Sequence, residues 1–223
     1  DIAGNPALTR LVERLRCRRG LDDLVWATST APADDALETW ANATGIAVYR
    51  GSEEDVLARV VSAQQRVDSE IVVEVTGDCT LLDPTVIDMG IETFFANDCD
   101  VVNNFRTLTY PEGIDVQVFR LKDLARVAET VADPAVREHV SLYFYENPER
   151  YRIVTLTAPE KWYGAGLRFQ LDYPEDHAFI SAVYERLEPV HGPVFGLDEI
   201  MPLLAAEPAL KTINAHCEEK SVR

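Results

Sequence analysis

An α/β domain on a largely parallel sheet is what this sequence predicts, because apolar strand-like runs alternate with helical segments along the whole chain. Two stretches carry the prediction most directly. Ile71-Val72-Val73-Glu74-Val75 reads as a strand covered on both faces, as strands of parallel sheets are. Leu8, Leu11, Val12 and Leu15 recur at three- and four-residue steps ahead of Gly20, the spacing of an amphipathic first helix. With 223 residues and 47% hydrophobic content, the chain is long enough to bury one sizeable core.

The other elements follow in order. Leu24 to Thr28 is a buried strand, Ala36 to Ala43 a helix stopped by Gly45, and Ile46 to Tyr49 a short strand leading to Arg50-Gly51-Ser52. Ser52-Glu53-Glu54-Asp55 has the pattern of a capping box, with Ser52 as the cap of the next helix. Pro84 starts a helix, Asp100 to Asn103 is a strand, and Gly113 to Phe119 alternates apolar with polar residues as a half-exposed strand would. His139, Val140 and Leu142 fall on a helix. Tyr151 to Thr157 and Leu167 to Leu171 read as strands, and Pro174 opens a helix running to about Leu187. No repeat or linker divides the chain, so residues 1–223 are expected to form a single domain.

Composition excludes several functions. A formal charge of -17 repels nucleic-acid backbones, so no DNA or RNA partner is expected. An anionic nucleotide stays within reach if a divalent metal, helix N-termini and local basic groups assist. Cys17, Cys79, Cys99 and Cys217 form no C-x-x-C pair, so neither a disulfide framework nor a zinc site is expected. No apolar run approaches the roughly 18 residues of a membrane span, and Asp1-Ile2-Ala3-Gly4 carries no secretion signal, so a cytoplasmic location is expected. The dinucleotide, P-loop and hydrolase fingerprints G-x-G-x-x-G, G-x-x-x-x-G-K-[ST] and G-x-S-x-G are absent.

Ligands of open α/β sheets lie beyond the carboxyl ends of the strands. That rule selects Ala27 to Thr30, Arg50 to Ser52, Thr76 to Asp83, and Asp172 to Asp176. Asp78 and Asp172 stand at two of these ends, and two carboxylates in one cleft suit Mg²⁺, which takes one or two protein oxygens plus substrate phosphates. Each also has a structural reading. Asp78 could hold a turn through its own backbone, and Asp172 could cap the helix at Pro174. Cys79 has no histidine placed by motif to activate it as a nucleophile. Glu53-Glu54-Asp55 and Glu218-Glu219 read as solvated faces, and Tyr143-Phe144-Tyr145 as core or dimer surface.

One order of motifs runs through nearly the whole chain. It comprises Ala27-Thr28-Ser29-Thr30 with Asp34-Asp35, Arg50-Gly51-Ser52-Glu53-Glu54-Asp55-Val56-Leu57, Val75-Thr76-Gly77-Asp78-Cys79, Tyr110-Pro111-Glu112-Gly113-Ile114-Asp115-Val116, Arg137-Glu138-His139-Val140, and Leu171-Asp172-Tyr173-Pro174-Glu175-Asp176. Together they resemble cytidylyltransferases of the spore-coat-polysaccharide type, related to CMP-sialate and CMP-KDO synthetases. The resemblance implies a three-layer nucleotide-diphospho-sugar transferase-like (Rossmann-like) fold with a mainly parallel mixed sheet. It also implies transfer of CMP from CTP to an anionic acceptor, an acidic sugar or a phosphonate, with pyrophosphate leaving. By the family pattern Asp78 and Asp172 are the catalytic Mg²⁺ ligands. Ala27, Thr28, Ser29, Thr30, Gly51 and Ser52 would line base and ribose, with Thr76 and Gly77 approaching the nucleotide through backbone. Gly113, Asp115, Glu138 and His139, joined by Asn103, would face the acceptor, and a homodimer is implied.

Two departures qualify the match. The family's opening strand and basic loop, R-M-G-S-T-R-L-P-G-K, would precede Asp1, and Tyr173 stands where the family has a Thr. Two other functions suit the same fold: a glycosyltransferase using Asp98-Cys99-Asp100 as its metal motif, and a dimerising module without a phosphate loop.

Overall fold

The computed structural model describes residues 1–18 and 20–218, so Glu219 of the acidic pair Glu218-Glu219 lies outside the described residues. Helix α1 (Ala7–Arg16) is followed by β1 (Val25–Ser29), α2 (Asp35–Thr44), β2 (Ala47–Gly51), α3 (Val56–Gln65) and β3 (Ile71–Glu74). Next come α4 (Pro84–Ala96), β4 (Val101–Asn103), β5 (Gln117–Arg120), α5 (Leu121–Thr130), α6 (Pro134–Glu138) and α7 (Leu142–Glu146). The chain closes with β6 (Ile153–Thr155), α8 (Pro174–His191) and α9 (Leu197–Ala206). No helix among the described residues is long and apolar enough to cross a membrane.

Parallel pairing of β1 with β2 makes one small sheet. The second runs β3-β5-β4-β6, and within it β3, β4 and β6 point one way while β5 is reversed. This is the mixed, mainly parallel α/β arrangement that the sequence predicts. Side-chain alternation splits the core into two layers. Val102 and Val118 face Ile87, Phe179, Ile180 and Ile200 of α4, α8 and α9, whereas Val72, Val101 and Phe119 face Leu57, Leu124 and Phe144 of α3, α5 and α7. Each fully buried Leu, Ile or Phe contributes roughly 1.5–3 kcal/mol.

Helix ends follow local chemistry. Gly45 closes α2 at φ 71, a left-handed conformation that costs glycine little. Asp83 caps α4, its Oδ1 accepting from Thr85 N at 2.7 Å, with Pro84 at the first helical position. Asp55, not Ser52, caps α3. Its Oδ1 accepts from Ala58 N at 3.0 Å, while Ser52 Oγ accepts from Asp55 N at 3.1 Å. The helix start is displaced because Arg137 of α6 holds the Asp55 carboxylate in place.

Three further expectations are corrected. The β5 ladder begins only at Gln117, and Ile114 and Val116 are fully buried in a loop. There the Asn104 side chain replaces a strand partner, donating to Ile114 O at 2.6 Å and accepting from Val116 N at 2.9 Å. Leu167 to Leu171 joins no ladder: Phe169 N donates to Glu112 O at 2.7 Å and Leu171 N to Asp78 O at 3.1 Å. His139 lies between α6 and α7 instead of on a helix.

The β1 and β3 edges each have a partner on one side only. Both look onto a cavity of about 520 Å³, lined by Trp26 of β1, Ile71 and Val73 of β3, Leu11 and Leu15 of α1, and Ile91 of α4. The buried Trp26 Nε1 finds no hydrogen-bond acceptor among the described residues.

Candidate functional site

Two strand-end loops meet beyond β1 and β2, and the turn after β3 packs on the Trp26 ring. At the end of β1, Thr28 Oγ1 and Ser29 Oγ donate to Asp34 Oδ2 at 2.7 and 2.6 Å, and Ser29 N donates to the same oxygen at 3.0 Å. These bonds, the Ser29 hydroxyl first and the Thr28 hydroxyl next, hold the Asp34 carboxyl below its ordinary pKa. Arg50 at the end of β2 ties the two loops together, donating to Ser29 O and Ala31 O at 2.8 Å each and pairing with Asp35 and Glu38. Ala27 is half-buried, Thr28 and Ser29 are buried, Thr30 and Ser52 are exposed, and Thr30 N donates to Gly51 O at 2.9 Å. Gly77 packs on Trp26, the second residue of β1, whose ring a Cβ there would meet at 2.9 Å.

Asp78 follows that turn. Its Oδ2 accepts from Gln170 Nε2 at 2.8 Å, its Oδ1 from the Thr76 hydroxyl, and its main-chain oxygen from Leu171 N at 3.1 Å. The last bond sets Asp172 one residue from the Asp78 backbone, so two carboxylates 94 positions apart in sequence occupy adjacent chain segments. Asp172 is exposed and ion-paired through Oδ2 with Arg168. It does not cap α8. Asp176 does, its Oδ2 accepting from Tyr173 N at 3.0 Å and Asp172 N at 3.1 Å, which compensates for the missing Thr at position 173.

Arg168 is the buried hub, facing Asp176 at 3.1 Å, Glu112 at 3.4 Å, and Asp172. Burial opposes charge on Asp176, but donors from Asn214, the Asp172 and Tyr173 amides and Arg168 outweigh it and lower the carboxyl pKa. Three carboxylates against one guanidinium leave negative charge in excess, and Asp78 adds to it. Asp172 Oδ1 carries no protein hydrogen bond among the described residues. This donor set fits a hydrated divalent cation.

The expected acceptor residues divide into two groups. Asp115 is half-buried beside Cys79, whose thiol burial, Asp78 and Asp115 push well above its ordinary range; the inert reading of Cys79 follows. Gly113 sits at φ 86, where a Cβ would lie 2.5 Å from Gln170 N, so its place is against backbone. Asn103 is fully buried, donating to Thr155 Oγ1 at 3.3 Å and accepting from Arg106 N at 3.1 Å. Glu138 is exposed and His139 half-buried on the α6–α7 side. Sequence reasoning passed over Arg168, Gln170 and Glu74. The available signal was a lone charged or polar residue within an apolar run, Leu167-Arg168-Phe169-Gln170-Leu171 and Ile71 to Val75.

A family model described as cytidylyltransferase matches residues 1–195. The chain belongs to the cytidylyltransferase family. It is therefore a nucleotidyltransferase, and its reaction is transfer of CMP from CTP. The spore coat polysaccharide biosynthesis protein SpsF of Bacillus subtilis is 32% identical over 216 residues, covering 95% of this chain and 88% of that one. A 3-deoxy-manno-octulosonate cytidylyltransferase of Chlorobium phaeobacteroides is 28% identical over 194 residues, covering 84% and 72%. In fold, a cytidylyltransferase from Leptospira borgpetersenii superposes with a TM-score of 0.88 at 22% identity, covering 99% of this chain and 90% of that one. The glycosyltransferase alternative loses its motif to structure in this cytidylyltransferase. Asp98 and Asp100 pair with Arg152, Asp100 also with Arg120 at 3.3 Å, and Cys99 between them is buried.

Proposed function

We propose that this cytidylyltransferase joins CMP to a small anionic acceptor, an acidic sugar or a phosphonate, with Mg²⁺ and with release of pyrophosphate. The observation that supports the reading is the bond from Leu171 N to Asp78 O, which holds the chain segments of Asp78 and Asp172 side by side. The relative named for 3-deoxy-manno-octulosonate supports an acidic sugar as acceptor class.

In this reading Ala27, Thr28, Ser29, Thr30, Gly51 and Ser52 border the cytidine, and Thr76 and Gly77 approach it through backbone. Asp78 and Asp172 hold the cation, which when bound neutralises charge on the phosphates. Gln170 and Thr76 orient Asp78, and Arg168 orients Asp172. Asp115, Glu138 and His139, with Asn103 and Gly113 behind them, border the acceptor. Its oxygen attacks the α-phosphorus and the bond to the pyrophosphate oxygen breaks; the protein contributes placement and electrostatics.

The single-domain reading is completed by a strand from before residue 1 in the family pattern. The slot between the β1 and β3 edges supports it, because each edge has a strand partner on one side only and both border the same cavity. Such a strand would deliver the basic loop toward Thr76-Gly77-Asp78. A homodimer and a cytoplasmic location belong to the same reading, the former tested by sedimentation equilibrium.

A screen of acidic sugars and phosphonates with CTP, followed by pyrophosphate release, tests the proposal. The expected result is metal-dependent release with at least one anionic acceptor. Release of a nucleoside diphosphate, or no acceptor-dependent release, contradicts it.

A further inference from the structure

The four-stranded sheet carries a polar row at the end nearest Asp78. Register sets Glu74 opposite Gln117, Gln117 opposite Asn103, and Asn103 opposite Thr155, so four side chains share one level and one face. Two residues further along each strand, on the same face, stand Val72, Phe119, Val101 and Ile153, which pack against α3, α5 and α7. The polar row therefore floors the space between the sheet and α7.

Its hydrogen bonds have a fixed direction. The Tyr145 hydroxyl of α7 donates to Gln117 Oε1 at 2.7 Å, which turns Gln117 Nε2 toward Glu74 Oε2 at 3.1 Å. Arg106 does not reach Glu74. Its guanidinium lies 5.2 Å from the centre of the Tyr145 ring and donates to Tyr145 O at 3.2 Å. Glu74 is half-buried and has no ion pair among the described residues; burial alone drives its carboxyl up to about 7. A carboxyl enclosed without a cation costs folding stability, and a bound hydrogen-bond donor removes that cost.

We propose that Glu74, aligned by Gln117 and Tyr145, determines specificity for the second substrate by accepting a hydrogen bond from a hydroxyl or ammonium group distant from the acceptor's reacting oxygen. The inference rests on the cytidylyl-transfer reading and adds a substrate feature to it. Glu74 precedes Asp78 by four residues, at most roughly 13 Å of extended chain, which a small polyfunctional acid can span. Burial first, then the Glu74 and Asp115 carboxylates, push the Tyr145 phenol up, so the row and Asp115 lie within electrostatic reach of one hydroxyl.

The test is calorimetric binding to the full chain without CTP, using N-acetylneuraminate as hydroxyl-bearing probe, 2-aminoethylphosphonate as ammonium-bearing probe, and methylphosphonate with neither group. At least one donor-bearing probe is expected to bind about tenfold or more tighter than methylphosphonate. Glu74→Gln should erase an ammonium preference and Glu74→Met should erase both preferences, with methylphosphonate binding unchanged. Equal binding of all three probes, binding of none, or a preference that survives Glu74→Met overturns the proposal. Pyrophosphate release is read in parallel. Loss of turnover with the binding preference intact counts against cytidylyl transfer and leaves Glu74 selection standing.

Discussion

The two ends of the four-stranded sheet treat acidic residues differently. At the amino end of β4, Asp98 and Asp100 are matched by Arg152 and Arg120, and Arg152 N donates to Asp100 Oδ2 at 2.8 Å, so the charges fasten β6 to β4. Burial opposes the Asp100 charge, yet the Arg152 amide and side chain overcome it and lower the carboxyl pKa. At the opposite end, Glu112, Asp172 and Asp176 share Arg168, while Asp78 and Glu74 pair with no cation among the described residues. Balanced charge is what a structural site needs. Excess carboxylate at a strand end is what a cation and a polar substrate would compensate.

The comparison breaks most visibly in activity. Asp78→Asn or Asp172→Asn should lower kcat about 10²–10³-fold, the scale of losing one electrostatic contact to the transition state. Asp100→Asn should leave kcat within about twofold, because its partners are structural. Steady-state assays on the three variants decide this. A large loss in Asp100→Asn would erase the distinction between the ends.

Stability gives the next largest effect. Arg168→Met leaves Asp176 buried without its cation, so a loss of about 3–5 kcal/mol in urea unfolding is expected. Gly113→Ala, forced to φ 86 against Gln170, should lose about 1–3 kcal/mol. A Gly113→Ala variant with unchanged stability would show that the loop shifts freely.

Much of this architecture was readable because α2 and α4 each combine an apolar period with a boundary residue, Gly45 after α2 and Pro84 before α4. Readability failed where side chains substitute for backbone partners. Gly113 to Val116 alternates like a strand, yet Asn104 satisfies it, and Leu167 to Leu171 alternates but bonds to Glu112 and Asp78. Helix α5 was signalled by Leu121, Leu124 and Val127, three residues apart and all buried, and was passed over beside the preceding strand. Asp78 and Asp172 were legible as strand-end carboxylates. Arg168 and Glu74 were not, because a charged residue inside an apolar run reveals its purpose only when its partners, or their lack, are seen.

A smaller effect sharpens the same contrast through pH. The Glu74 carboxyl is raised from 4.5 to about 7, so the folded state holds its proton to higher pH than the unfolded chain does. Folding stability therefore falls as pH rises between those values, by at most about 3 kcal/mol, and the penalty is complete above pH 7. Glu74→Gln should raise the melting temperature at pH 8 and change it little at pH 4.5. Asp176 has the opposite sign. Its depressed pKa gives stability above the ordinary Asp range that is lost on acidification, so Asp176→Asn should be most harmful at neutral pH.

Mn²⁺ titration in the presence of CTP, read by electron paramagnetic resonance, addresses the acidic pair most directly. One tight site is expected, abolished by Asp78→Asn and by Asp172→Asn and retained in Asp100→Asn. A site that persists through both substitutions, or disappears with Asp100→Asn, would contradict a cation held at the junction of β3 and α8.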